Sequence, residues 1–361
     1  MKHIIDRLCS RHSLDRQEYL ELLQCNDVDT MDYLRSQAQS ATLERFGRDV
    51  YVRGLIEITN ECRNNCLYCG IRQANKMVAR YSLSQATILD CCQQGYELGF
   101  RTFVLQGGEN PQMTDEWVED TVARIHSRYP DCAITLSLGE RSLQAYKAFF
   151  RAGASRYLLR HETITDSHYR RLHPTDMSLQ NRIQCLHDLK EIGYQTGTGI
   201  MVGSPYQTLE NIADDLKFIE EFKPQMIGIG PFIPHAQTPF AGASAGSVEL
   251  TLKLISIFRL MSPSALIPST TALASLSPKG RCQGILAGAN VVMPNLSPPT
   301  FRGQYSLYNN KAAFGSESAE GLRLLQEELN TIKYNISTER GDYVQTCINH
   351  SRGVYLSCRD T

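Results

Sequence analysis

The chain has 361 residues, 42% of them hydrophobic, enough to bury a sizeable core as one large domain or two. A net charge of −1 offers no basic field to recommend a nucleic-acid partner. Charges interrupt the first nine residues where a signal peptide needs an apolar stretch, and nowhere do about 18 apolar residues run together to cross a membrane. A reducing cytoplasm is therefore expected, with the twelve cysteines as thiols rather than a disulfide framework.

In chain order, residues 1–48 are predicted as short helices, with apolar residues at helical spacing in 17–24 and 30–38. A regular alternation then begins. Strands are predicted at 51–58, 102–106, 133–137, 156–160, 197–202, 226–230, 266–270 and 290–294. Helical patterns separate them: one from a cap at Ser84 to about Gly99, then 116–128, 142–152, 179–192, 209–222 and 249–261. Gly99, Gly153 and Gly193 stand where C-terminal capping wants glycine. Such alternation implies parallel pairing through right-handed crossovers, and eight strands give an α/β fold, a complete (β/α)8 TIM barrel. The expected division is 1–48 as an N-terminal helical extension, 49–310 as the barrel and 311–361 as a short C-terminal extension with one helix at 319–329. An open doubly wound sheet is the alternative, but it would carry phosphate-binding glycines after the first strand. That position holds cysteines.

Those cysteines, Cys62, Cys66 and Cys69, sit three and two residues apart on the loop after the first predicted strand. A [4Fe–4S] cube takes four ligands, so three on one loop leave one iron open to a small molecule. Structural zinc and plain buried thiols are the competing readings of the same spacing. Zinc would need a second Cys/His pair, yet the next cysteines are the adjacent Cys91 and Cys92, then the isolated Cys132. Cys347 and Cys358 have no interpretable spacing.

Active sites of such barrels lie at the C-terminal strand ends. This rule selects Gly107, Gly108 and Glu109 after the second strand, and Thr135 and Ser137 on the third. It adds Arg156, Arg160 and Glu162 on or after the fourth, with Arg182 in the following helix. Ile229 and Gly230 end the sixth, Thr270 and Thr271 the seventh, and Tyr305 and Tyr308 follow the eighth. Tyr68, before the third cysteine, could cover an aromatic ligand. Taken singly, each also reads as a turn, an ion pair or packing.

Cys62-x3-Cys66-x2-Cys69 followed by Gly107-Gly108-Glu109 resembles the radical S-adenosylmethionine (SAM) superfamily. More closely, the chain resembles the [FeFe]-hydrogenase maturase HydE family of the biotin-synthase-like group. The likeness lies in Cys-Leu-Tyr-Cys-Gly (66–70), Thr-Leu-Ser-Leu-Gly-Glu (135–140), Arg-Tyr-Leu-Leu-Arg-His-Glu-Thr (156–163), Gly-Ile-Gly-Pro-Phe-Ile-Pro-His (228–235), Ile-Pro-Ser-Thr-Thr-Ala (267–272) and Gly-Ala-Asn-Val-Val-Met-Pro-Asn (288–295). The resemblance implies that Cys62, Cys66 and Cys69 hold one [4Fe–4S] cluster and that SAM chelates the fourth iron, to be cleaved to a 5′-deoxyadenosyl radical. It implies SAM contacts from Tyr68, Gly107, Gly108, Glu109, Ser137, Glu162, Arg182, Ile229 and Gly230. It implies substrate contacts from Thr135, Arg156, Arg160, Thr270, Thr271, Tyr305 and Tyr308, the substrate being a cysteine-bound iron carbonyl cyanide precursor of the hydrogenase active site. A ferredoxin or flavodoxin would donate the electron, and other maturases would be partners. The stretch 311–320 has none of the cysteines that hold a second cluster in some members, so one cluster is expected. A lysine mutase like methylornithine synthase is the rival enzyme, a zinc-binding scaffold the rival non-enzyme.

Overall fold

The structure, a computed structural model, describes residues 1–344; Cys347 and Cys358 lie outside the described residues. Helices Lys2–Arg11, Arg16–Gln24 and Val28–Phe46 come first, the second opened by a capping box between Asp15 and Glu18. The strands come next: β1 (Asp49–Val52), β2 (Gly54–Thr59), β3 (Thr102–Gly107), β4 (Ala133–Ser137), β5 (Ala154–Leu158), β6 (Gln195–Val202), β7 (Met226–Pro231), β8 (Val291–Val292) and β9 (Asn335–Ser337). Strands β2 to β7 form a six-stranded sheet in sequence order, parallel throughout. A smaller parallel sheet has the order β8-β1-β9.

Alternation along the strands sorts the side chains. Ile56, Ile58, Phe103, Leu105, Ile134, Leu136, Tyr157 and Leu159 join the large core beneath the helices. Their neighbours Glu57, Gln106, Thr135, Ser137, Arg156 and Arg160 therefore face the other, inner side. Behind β6 and β7, Val202, Ile227 and Ile229 share a second core with Ile4, Leu8, Leu22 and Leu34 of the N-terminal helices. Ser84, Thr114, Ser142, Ser178, Thr208 and Ser247 each cap a helix by accepting from the backbone N–H three residues on, so the helix starts fall where the sequence put them.

The strand expectations need correction at both ends of the series. The first run breaks at Arg53 into β1 and β2, and the fourth begins and ends two residues early. The stretch 266–270 is not a strand. It touches its neighbours through isolated bridges, Met226 to Leu266 and Pro268 to Val291. Pro268 has no N–H for the ladder, and the Ile267 N–H donates to the Asn290 side chain at 2.9 Å. Pro294 follows the shortened β8 in the same way. The α/β parallel sheet is present; the expected eight strands are not one continuous ladder among the described residues.

At the N-terminal edge of the sheet the chain returns beneath it. The Thr102 hydroxyl donates to the Arg340 carbonyl at 2.8 Å, and the Tyr343 N–H donates to Gln195 Oε1 at 3.0 Å. The fully buried Arg156 donates to Asp342 Oδ1 at 2.7 Å and to Thr102 Oγ1 at 3.1 Å. No helix among the described residues is long and apolar enough to cross a membrane.

Asp342 is thus the carboxylate partner of a buried guanidinium. Asp342→Asn is expected to lower unfolding stability by about 1–3 kcal/mol, below the full cost of breaking a buried pair because Asp342 is partly exposed. Urea unfolding checks this; an unchanged midpoint would contradict the assignment.

Candidate active site

The loop between β2 and the helix Gln85–Glu97 carries the three cysteines. It is tied from within. The Asn60 amide donates to the carbonyls of Ala79 and Gln304, both at 2.9 Å, and accepts from the Tyr81 N–H at 2.8 Å. The Arg80 guanidinium donates to the carbonyls of Asn60, Ile71, Arg72 and Asn75. Further bonds fix the loop against neighbouring chain: Arg63 N–H to Glu109 O, Leu67 N–H to Leu172 O and Gly70 N–H to Leu307 O, each 2.9 Å.

Cys62, Cys66 and Cys69 are half-buried free thiols. Burial and the proximity of one another's sulfurs push Cys66 up and Cys69 to about 12. Left to themselves they stay protonated; a cationic centre among them would convert them to thiolates. Among the described residues no three His, Cys, Asp or Glu side chains gather as a single-ion site. A single zinc ion would need its ligands gathered around one point, whereas in a cubane each thiolate takes a different iron.

Glycine at 108 is a packing requirement: a Cβ there would stand 2.3 Å from the Glu61 carbonyl oxygen and 2.7 Å from Cys62 Cβ. Beyond it, Glu109 accepts from Arg63 Nε at 3.1 Å and Nη2 at 2.9 Å, and from the Glu140 N–H at 2.9 Å. Arg182 donates to Glu140 and to the Arg160 carbonyl, both at 2.6 Å. Arg160 donates to Glu162 at 2.7 Å, and Glu162 holds a left-handed backbone with φ of +64°. Glu109, Arg182 and Glu162 thus belong to three ion pairs joined by the Glu140 N–H and the Arg160 carbonyl, and Ser137 ends β4.

The inner face supplies the rest. Thr135 Oγ1, Thr270 Oγ1 and Arg160 Nε are buried and have no hydrogen-bond partner among the described residues. Gly230 leaves room for Thr270: a Cβ would meet its Oγ1 at 2.7 Å. Ile229 turns its side chain to the outer core, leaving main chain on the inner side. The buried Tyr305 hydroxyl accepts from Gln106 at 3.3 Å, and Tyr308 is half-buried nearby. Thr271 is engaged elsewhere, donating to Glu317 at 2.7 Å. Arg156 is not brought to this group. It shares the inner face with Arg160 and pairs in register with Thr135, but its guanidinium is held by Thr102, the Arg340 carbonyl and Asp342.

Sequence reasoning missed several polar residues that complete the site. The fully buried Glu57 accepts from Lys311 at 2.5 Å and from Asn295 at 2.8 Å. The Lys311 ammonium sits 5.5 Å from the centre of the Tyr305 ring. Arg63, Arg80, Glu140 and His173 are likewise partners from distant positions. A carboxylate on an inward strand position was the one available signal, and only for Glu57.

Residues 56–219 match the radical SAM superfamily. That defines the class: an enzyme of a superfamily that works with a [4Fe–4S] cluster and SAM. The [FeFe] hydrogenase maturase subunit HydE of Thermotoga maritima is 41% identical over 310 residues, 86% of this chain and 88% of that one. The chain belongs to the HydE family. The 3-methylornithine synthase of Methanosarcina barkeri is 27% identical over 296 residues, covering 81% of this chain and 83% of its own. A solved methylornithine synthase (PylB) superposes with a TM-score of 0.81 at 23% identity, over 92% of this chain and 97% of the other, a likeness of fold.

The contact at Gly108 yields a direct test. Gly108→Ala is expected to leave the far-UV dichroism spectrum intact while reducing iron bound on anaerobic reconstitution severalfold, because the cysteine loop must yield to the added methyl. Parent-like iron content would refute the close approach.

Proposed function

We propose that Cys62, Cys66 and Cys69 hold one [4Fe–4S] cluster with SAM at its open iron, and that the enzyme acts on a cysteine-bound iron carbonyl cyanide precursor of the [FeFe]-hydrogenase active site. When bound and reduced, this pair supplies a 5′-deoxyadenosyl radical. The observation that carries the reading is a braced loop of three free thiols after β2, together with buried polar atoms on Thr135, Thr270 and Arg160 that have no partner among the described residues. Leaving such atoms dry costs about 1–3 kcal/mol each, so water or a polar ligand is expected to meet them.

The chain's own groups then divide the work. Tyr68, the backbone at Gly107–Gly108, and main chain at Ile229–Gly230 border SAM. Glu109 and Glu162 offer carboxylates to its ammonium and polar edges, and Ser137 a hydroxyl. Arg182, already oriented by Glu140, presents its remaining N–H groups to the SAM carboxylate. Deeper, Arg160, Thr135, Thr270, Tyr305 and Tyr308 bind the anionic, amino-acid-bearing substrate, and Thr271 supports Thr270. Arg156 serves the fold. The bridges at Leu55–Asn295, Met226–Leu266 and Pro268–Val291 support closing the sheet into the eight-stranded barrel that excludes water from this chemistry. In this reading residues 49–310 form the catalytic unit between two extensions. The protein works in the cytoplasm, receives its electron from a ferredoxin or flavodoxin, and hands on its product among the other maturases.

Anaerobic reconstitution with iron and sulfide should give a cubane EPR signal in the reduced protein that changes on adding SAM. Its absence would defeat the reading. Cys66→Ser is expected to abolish both that signal and 5′-deoxyadenosine release while leaving the dichroism spectrum unchanged. Likeness to methylornithine synthase in sequence and fold motivates one competing substrate. Incubation with SAM and lysine should yield no isomer, and an isomer would replace the maturase role with a mutase.

A further inference from the structure

We infer that His173 is a positioning residue for the cysteine loop, accepting a hydrogen bond from the Tyr68 hydroxyl and thereby setting the Tyr68 ring and the loop that carries it. The inference rests on the reading of that loop as the cluster and SAM site, and adds to it a residue that touches neither group.

The geometry fixes which atom donates. His173 Nδ1 lies 3.0 Å from the Tyr169 carbonyl oxygen, which can only accept, so Nδ1 carries the ring proton. Burial first, then the charge of Arg182, pulls His173 down to about 3, so the ring is neutral and Nε2 holds a lone pair. The Tyr68 hydroxyl, 3.2 Å away, is therefore the donor. The imidazole cannot drift from this position. It stacks on Tyr169 with centroids 3.9 Å apart and 19° between planes, and meets the Tyr68 ring edge-on at 5.5 Å and 88°.

The bond is one of a set. Next to it, the Leu67 N–H donates to the Leu172 carbonyl at 2.9 Å. Leu67 and Tyr68 pack on Leu172, Met201, Phe232 and Phe240, and Cys66 Sγ lies 3.8 Å from Met177 Sδ. Leu172, His173 and Met177 all belong to the connection leaving β5. That connection starts with Arg160 and Glu162, and it leads into the helix Leu179–Ile192, whose Arg182 donates back to the Arg160 carbonyl. One stretch of chain thus registers the loop that would bear the cluster against the side chains that would bind SAM and substrate. A filler histidine of the same size would need no acceptor aimed at Tyr68.

The test uses the full-length, reconstituted protein. His173→Phe keeps the ring and its stacking but removes the acceptor; His173→Gln keeps an acceptor. His173→Phe should bind iron and melt as the parent does, yet bind SAM about fivefold to tenfold more weakly, with a diminished SAM-induced change in the EPR spectrum. Tyr68→Phe should show the same loss, the double variant should lose nothing more, and His173→Gln should recover most of the affinity. Parent-like SAM affinity and EPR response in His173→Phe, or additive losses in the double variant, would overturn the inference. So would a melting temperature that falls in parallel with affinity in both His173 variants. A parent protein with no cluster signal would instead strike the cluster reading on which this one rests.

Discussion

The guanidinium of Arg80 is the contact on which the site's architecture turns. A loop of more than twenty residues between a strand and its helix brings carbonyl oxygens that no ladder satisfies, and each needs a donor. Arg80 binds four of them, on Asn60, Ile71, Arg72 and Asn75. Those residues bracket the cysteines, so a single planar fork sets the span of chain within which the three thiols must lie. The outer side of the loop is then free to bond other elements, as Leu67 does with Leu172 and Gly70 with Leu307. Without that internal brace, the approach of Gly108 to Glu61 would have no defined surface to meet.

Polar groups on the inner face are arranged in two ways. Some are paired before any ligand arrives: Glu57 with Lys311 and Asn295, Glu109 with Arg63, Arg182 with Glu140. For the deeply buried Glu57–Lys311 pair this pairing offsets a desolvation cost of several kcal/mol per ion, while Arg63 is largely exposed and its pairing chiefly orients Glu109. Others stand open, as Thr135, Thr270 and one nitrogen of Arg160 do. The mixture sets fixed, paired charges beside buried polar atoms that have no partner among the described residues.

Much of this was legible in the chain because the cues were local. A short polar residue starts six of the helices close to the expected places, and the alternation of strand-like and helix-like runs foretold the parallel sheet. Where local cues compete, the reading slipped. Pro268 and Pro294 interrupt the ladder within runs whose composition is that of strands. Arg156 shows the limit of periodicity: alternation gives the face of a strand but not where a long side chain ends, and this guanidinium is taken by Asp342 and the Arg340 carbonyl. Arg80, Glu140, His173 and Lys311 left no trace, since each matters through a partner distant in sequence, and spacing carries no record of such pairs.

Glu162 has a consequence of its own. A left-handed backbone at a residue with a Cβ costs on the order of 1–2 kcal/mol, a penalty glycine escapes. Replacement by glycine would relieve the strain and remove the carboxylate that Arg160 holds. Engineering this chain for heat tolerance by relaxing strained positions would therefore choose position 162 early, and each gain in melting temperature there would be drawn from the ion pair that holds Arg160 in place.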